Sequence, residues 1–129
     1  MAKENLLYSK DHEWVRSEGG EVVVGVTDYA QHELGDVVFV DLPVIGKELK
    51  KGDPAANIES VKAVSDVYAP VSGKITAVNE RLSPAPELVN QDPFGEGWIF
   101  KISMEQASEL SELMDLKKYE EYLKGIAGE

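Results

Sequence analysis

Up to Ile102 the apolar residues come in short β-branched runs broken by glycine and proline, and after it they recur at helical spacing. Glu13-Trp14-Val15-Arg16 and Glu21-Val22-Val23-Val24-Gly25-Val26 read as two strands. Gly19-Gly20 between them supplies the positive φ that a tight hairpin turn needs. Thr27 is placed to cap a short helix, with Asp28 in its first turn where the helix dipole favours a negative charge. Tyr29, Ala30, Glu33 and Leu34 fill that helix and Gly35 ends it. Val37-Val38-Phe39-Val40 is a near-continuous apolar strand that stops at Pro43. Lys51-Gly52-Asp53-Pro54 is a turn. Between Pro54 and Pro70, the β-branched residues Ile58, Val61, Val64 and Val67 predict two short strands joined near Val61-Lys62. Lys62 then stands at the tip of a hairpin. Lys74-Ile75-Thr76-Ala77-Val78 alternates as a further strand.

From Leu82 to Gly97 the pattern fails, and Ser83-Pro84-Ala85-Pro86 with Asn90-Gln91-Asp92-Pro93 predicts a loop. Trp98-Ile99-Phe100-Lys101-Ile102 is the last predicted strand. Ser103 with Gln106 reads as a capping box, followed by Ala107, Leu110, Leu113 and Met114 on one helical face. Asp115 restarts a second helix packed through Leu116, Tyr119, Tyr122 and Leu123, and Gly125 is expected to stop it. A faint repeat relates Pro43-Val44-Ile45-Gly46-Lys47 to Pro70-Val71-Ser72-Gly73-Lys74. At 129 residues the chain is expected to form one domain, mainly β, as a flattened barrel or sandwich. Residues 22–103 are its expected β core, and residues 104–129 a small helical appendage.

Composition narrows the chemistry. Without cysteine there can be no disulfide, thiolate metal site or cysteine nucleophile. A formal charge of −11 argues against nucleic acid and anionic membranes, which need a basic face. An acidic carrier can instead be steered to positive patches on partner enzymes. No segment has the ~18 apolar residues of a membrane span, and the N-terminus lacks a signal core, so the expected location is the cytoplasm, or the mitochondrial matrix for a processed form. His12 and His32 have no spacing to carboxylates that suits a metal, and no serine stands in a nucleophile elbow. The chain reads as a non-enzyme. On its own, Lys62 would be a solvated lysine keeping a hairpin soluble.

Glu59-Ser60-Val61-Lys62-Ala63, then Ser65-Asp66 and Tyr68-Ala69-Pro70-Val71-Ser72-Gly73, resembles the lipoyl-lysine motif of the H proteins of the glycine cleavage system. The likeness extends to His12-Glu13-Trp14-Val15, Gly25-Val26-Thr27, Leu34-Gly35-Asp36 through Pro43, Asn90, Pro93-Phe94 and Gly97-Trp98, covering nearly the whole chain. The resemblance implies a lipoyl-domain-like fold of two pseudo-symmetric β halves, and lipoic acid joined by an amide to Lys62. The lysine stem plus acyl chain would reach on the order of 14 Å, and the redox chemistry would belong to the cofactor. It implies three partners: the pyridoxal-phosphate glycine decarboxylase (P protein), which loads an aminomethyl group; the aminomethyltransferase (T protein), which passes it to tetrahydrofolate; and dihydrolipoyl dehydrogenase (L protein), which reoxidises the arm. A lipoate ligase, or an octanoyltransferase with lipoyl synthase, would install the arm.

The resemblance also assigns positions. Glu59 and Gly73 would be read by the modifying enzyme, Gly73 by permitting a backbone turn closed to other residues. Asp11, His12, Glu13 and Asp66 would line a cleft that shields the loaded arm, whose ammonium suits carboxylates. Some members carry a histidine just before Leu-Gly where this chain has Glu33, with His32 one place off. A lipoyl or biotinyl domain of another multienzyme complex is the nearest alternative, although Val61-Lys62-Ala63 differs from the usual Asp-Lys-Ala or Met-Lys-Met. An octanoyl or lipoyl relay role could coexist with the first, and an unmodified interaction module is a third reading. The chain is expected to be a monomer.

Overall fold

The computed structural model describes residues 5–127. Among them, nine strands form two antiparallel sheets. Strands β1 (Leu7–Tyr8), β2 (Glu13–Glu18), β3 (Glu21–Val26), β9 (Phe100–Met104), β8 (Gly73–Val78) and β5 (Glu48–Leu49) form one, in that order. Strands β4 (Val37–Asp41), β6 (Pro54–Ser60) and β7 (Val64–Tyr68) form the other. Helix α1 (Asp28–Leu34) follows the first hairpin, α2 (Leu88–Gln91) is a single turn, and α3 (Leu116–Ala127) ends the described chain. The expected mainly-β flattened sandwich is what the chain forms.

The all-valine stretch of β3 follows from its place between β2 and β9, where it is covered on both faces. Val22, Val24 and Val26 face the second sheet and pack with Ile58, Val67 and Ile102. Val23 points to the other side, into a second cluster with Tyr8, Trp14 and Tyr119. Trp14 lies directly on Gly25, its register partner, where a Cβ would come within 2.6 Å of the indole. The indole N–H donates to the Pro93 carbonyl at 2.9 Å, with Phe94 6.2 Å away. These family-motif residues are thus one packing unit, with glycine making room for tryptophan.

The first hairpin turns at Gly19, φ 69°, and Thr27 caps α1 by accepting from the Ala30 N–H. The two copies of the short repeat lie antiparallel to each other: Gly46 N–H donates to Ile75 O at 2.8 Å, Ile75 N–H to Lys47 O at 2.9 Å, and Leu49 pairs with Gly73.

Four local expectations are corrected. The stretch 82–97 contains α2 and ends a 3-10 turn at Glu80–Leu82, because its prolines stand at turn starts rather than throughout. The last strand begins at Phe100, not Trp98, and runs to Met104. Ser103 is therefore no helix cap: its backbone is shared between Glu21 of β3 and Lys74 of β8, and two ladders outweigh one side-chain cap. A 3-10 helix, Ala107–Glu112, follows without a side-chain cap, and Ala107 is exposed. Asp115 does start α3, accepting from Lys118 N–H at 2.9 Å, but the helix runs through Gly125 to Ala127. Gly125 is exposed with open space around it, so nothing forces a break.

Candidate functional site

The β6–β7 hairpin turns at Val61-Lys62-Ala63. Ser60 N–H donates to Ala63 O at 2.8 Å, and Ser60 Oγ accepts from the N–H groups of Lys62 and Ala63 at 3.3 and 3.1 Å. A serine before the lysine thus folds the turn onto itself. Lys62 is exposed, and among the described residues its ammonium makes no ion pair. The tip is nonetheless anchored. Val61 N–H donates to Asp36 O at 3.0 Å, tying it to the α1–β4 connection. The lysine stem lies over Gly35 (φ 81°), where an added Cβ would stand 3.5 Å from Lys62 Cε. Asn90 fixes that connection in turn: its Oδ1 accepts from Val37 N–H at 2.8 Å, and its Nδ2 donates to Gly35 O and Gln31 Oε1, both at 2.9 Å. The Leu34-Gly35-Asp36 motif and Asn90 are therefore the seat of the lysine hairpin.

A cleft of about 320 Å³ opens between this hairpin, α1 and the turn before β2. Val26, Ala30, Leu34, Ile58 and Val67 give it an apolar floor. Asp11, His12, Glu13 and Glu33 supply the polar wall, and Ala63, Val64 and Ser65 bring its edge to the residue beside Lys62. Glu13 is 1% exposed. Its carboxylate accepts from Ser9 Oγ at 2.6 Å and from Tyr68 N–H at 2.9 Å. Burial nevertheless pushes its pKa up to about 7, against those two hydrogen bonds and with help from the nearby Asp11 charge. His12 takes a left-handed backbone, φ 68°, which is uncommon for a residue with a Cβ. Its Nδ1 is 3.0 Å from the Tyr119 hydroxyl, and its ring lies 4.6 Å from that of Tyr29. Burial holds its pKa down, opposed by the charges of Asp11 and Glu33.

The predicted cleft residues thus divide. Asp11, His12 and Glu13 line the cleft together. Asp66 borders the cleft, but its Oδ1 accepts from Asn57 Nδ2 at 3.1 Å across the hairpin. Strand alternation puts Ser65 and Val67 toward the cleft and Asp66 in the outward row Asp41–Asn57–Asp66. Glu33 lines the cleft and His32 does not, so the departure from the family's histidine places a third carboxylate there.

Glu59 is exposed on the outer face of the three-stranded sheet, three residues from Lys62 and between Phe39 and Val64 across the strands. Phe39 and Val64 are 47% and 66% exposed, and a bulge turns Val38 outward beside Phe39. The near-continuous apolar strand expected at 37–40 is therefore open to solvent at Val38 and Phe39. Gly73 is elsewhere: it is buried in the six-stranded sheet and its φ is not positive. A Cβ there would collide with the Ser103 carbonyl and stand 3.2 Å from Ile102. Close strand approach, not a special turn, is what glycine provides at this position.

Tyr119, Tyr29, Leu34 and Ser9 were not singled out by sequence as site residues. Tyr119 shows only a helical packing period, and Ser9 only a polar residue four before Glu13.

The family profile described as "Glycine cleavage H-protein" matches residues 6–126. The "Probable glycine cleavage system H protein" of Pyrococcus horikoshii is 59% identical over 126 residues, 96% of this chain and 93% of that one. The "Glycine cleavage system H protein" of Thermotoga maritima is 56% identical over 115 residues, 89% of this chain and 93% of that one. The crystal structure of a glycine cleavage system H protein from Mycobacterium marinum superposes with a TM-score of 0.85 at 34% identity, covering 99% of this chain and all of that one. Sequence, fold and the anchored lysine hairpin converge: the chain belongs to the glycine cleavage H-protein family.

Proposed function

We propose that this chain is the lipoylated carrier of a glycine cleavage system, with the arm on Lys62. It is a non-catalytic component that takes an aminomethyl group from P protein, delivers it to T protein and is reoxidised by L protein. The observation that carries the reading is an exposed lysine on an anchored turn, at the edge of a 320 Å³ cleft with an apolar floor and a carboxylate wall. The volume is at the lower end of small-ligand sites. The residues present fit a lipoyl group, with aliphatic side chains for its chain and ring and carboxylates for a cationic cargo. When bound, that group would supply a disulfide–dithiol couple able to accept and release the aminomethyl group.

Each residue then has a task. Ser60 and Asp36 hold the turn so that the Lys62 amine projects. Asp11 and Glu33, joined by Glu13 once it ionises, provide the negative wall that would hold an ammonium and keep it from water. The outer-face row Phe39–Glu59–Val64, next to the lysine, is the proposed contact for the lipoate ligase or octanoyltransferase that precedes lipoyl synthase. Asp66 stands at the rim, bordering the cleft while its carboxylate pairs with Asn57 on the outer face, and Gly73 supports recognition only by keeping the sheet beneath intact. We further propose action as a monomeric single domain in the cytoplasm. Among the described residues no helix is long and apolar enough to cross a membrane. The test is glycine-dependent bicarbonate exchange with P protein. Lipoylated parent should support it and Lys62→Arg should not; exchange by the variant at the parent's rate would refute the assignment.

A further inference from the structure

Tyr119 of α3 and His12 are 107 residues apart, yet the tyrosine hydroxyl lies 3.0 Å from His12 Nδ1 and 2.8 Å from Thr27 Oγ1. The tyrosine is held rigidly, its ring stacked on Tyr8 at 4.5 Å and 8°. The His12 backbone is also fixed, since its carbonyl accepts from Thr27 N–H at 2.9 Å. Three groups therefore share two hydrogen bonds, and their direction can be decided. Thr27 is 1% exposed, and its Oγ1 already accepts from Ala30 N–H at 3.2 Å. Were Tyr119 to donate to Thr27, the threonine hydroxyl proton would have no acceptor among the described residues, a bond left unmade in a buried place. With Thr27 donating to Tyr119, and Tyr119 donating to His12 Nδ1, each hydroxyl donates once. Nδ1 is then the acceptor and the ring proton sits on Nε2.

We propose that Tyr119 is a positioning residue of the arm cleft, fixing His12 as its Nε2–H tautomer so that the ring offers a donor to the arm. This rests on the carrier reading above. His12 lines the cleft and its Nδ1 is engaged by a buried tyrosine, so Nε2 is the nitrogen left for the cleft. An N–H donor does not pair with an ammonium; it pairs with an acceptor, and a lipoyl-lysine arm offers an amide carbonyl and sulfur. The cleft would read two ends of a loaded arm at once, an acceptor atom by His12 and the cation by Asp11, Glu13 and Glu33. The C-terminal helix is then a strut of the cleft.

The test is the ring ¹⁵N spectrum of His12 in the unmodified protein, above the histidine's titration. The parent should show one Nε2–H tautomer, and Tyr119→Phe a mixture of tautomers. Thr27→Ser, which keeps the relay, should match the parent. In lipoylated carrier loaded with an aminomethyl group, Tyr119→Phe should release ammonia and formaldehyde about fivefold faster, the factor for one hydrogen bond of about 1 kcal/mol. An Nδ1–H tautomer in the parent would overturn the proposal even if the variant does not fold, as would parental release from a folded Tyr119→Phe. The tautomer is read without the arm, so a failed relay is told apart from a failed carrier reading, in which Lys62 takes no acyl group.

Discussion

The Glu13 carboxylate accepts the backbone N–H of Tyr68 at 2.9 Å, across 55 residues of sequence. This bond joins the start of β2, beside Asp11 and His12 of the cleft, to the end of β7, the second strand of the lysine hairpin. It also buries a carboxylate among apolar neighbours, which raises its pKa from 4.5 to about 7. The folded chain therefore keeps this proton over a range in which the unfolded chain has lost it. Its stabilising effect is full below about pH 4.5 and is lost as pH rises through about 7. Relative to Glu13→Gln, the parent should lose about 2–3 kcal/mol of stability between about pH 5 and about pH 8, at ~1.4 kcal/mol for each pH unit. Urea unfolding at the two pH values measures it. A difference that does not change with pH would mean that Glu13 titrates as an exposed carboxylate.

Gly73 and Glu59 should respond oppositely to alanine. Gly73→Ala drives a methyl group into the Ser103 carbonyl and forces β8 from β9. A loss of about 2–4 kcal/mol follows from overpacking and broken ladder bonds. Glu59→Ala, on an exposed position, should stay within about 0.5 kcal/mol of the parent yet take up lipoate several-fold more slowly from a ligase. Melting curves and initial acylation rates separate the two. Equal acylation of Glu59→Ala and parent would remove Glu59 from recognition.

Asn90 offers a graded pair. Asn90→Ala leaves Val37 N–H and Gly35 O without their partner, which costs about 2–3 kcal/mol. Asn90→Asp keeps an acceptor for Val37 but no donor for Gly35 or Gln31. The Val37 amide should exchange with deuterium much faster in the alanine variant than in the aspartate variant. Similar exchange in both would show that the Lys62 seat does not depend on Asn90.

The sequence made most of the fold readable, because its periods are local: the Gly19-Gly20 turn, the Thr27 cap and the hairpin at Lys62 stand where their residue types place them. What it concealed depends on partners distant in the chain. Ser103 looks like a cap until two strands claim its backbone. Gly73 looks like a turn glycine until β9 is laid against it. Val38 and Phe39 read only as part of an apolar strand, and their exposure shows once the three-stranded sheet proves open on one face. At the site, the motifs pointed to Lys62, Glu13 and His12, but the direction of the Asp66 side chain needed the strand register. Tyr119 was hidden because helical spacing explains a buried tyrosine equally well as packing.

The central claim is that Lys62 carries the arm, and intact mass after incubation with lipoate, ATP and a lipoate ligase tests it most directly. The parent should gain one lipoyl group. Lys62→Arg should gain none, because a guanidinium that stays protonated is a poor nucleophile toward an activated acyl group. Lys47→Arg, Lys51→Arg and Lys74→Arg should each gain one, as the parent does. A parent that stays unmodified, or a Lys62→Arg variant that gains the lipoyl mass, would contradict the account.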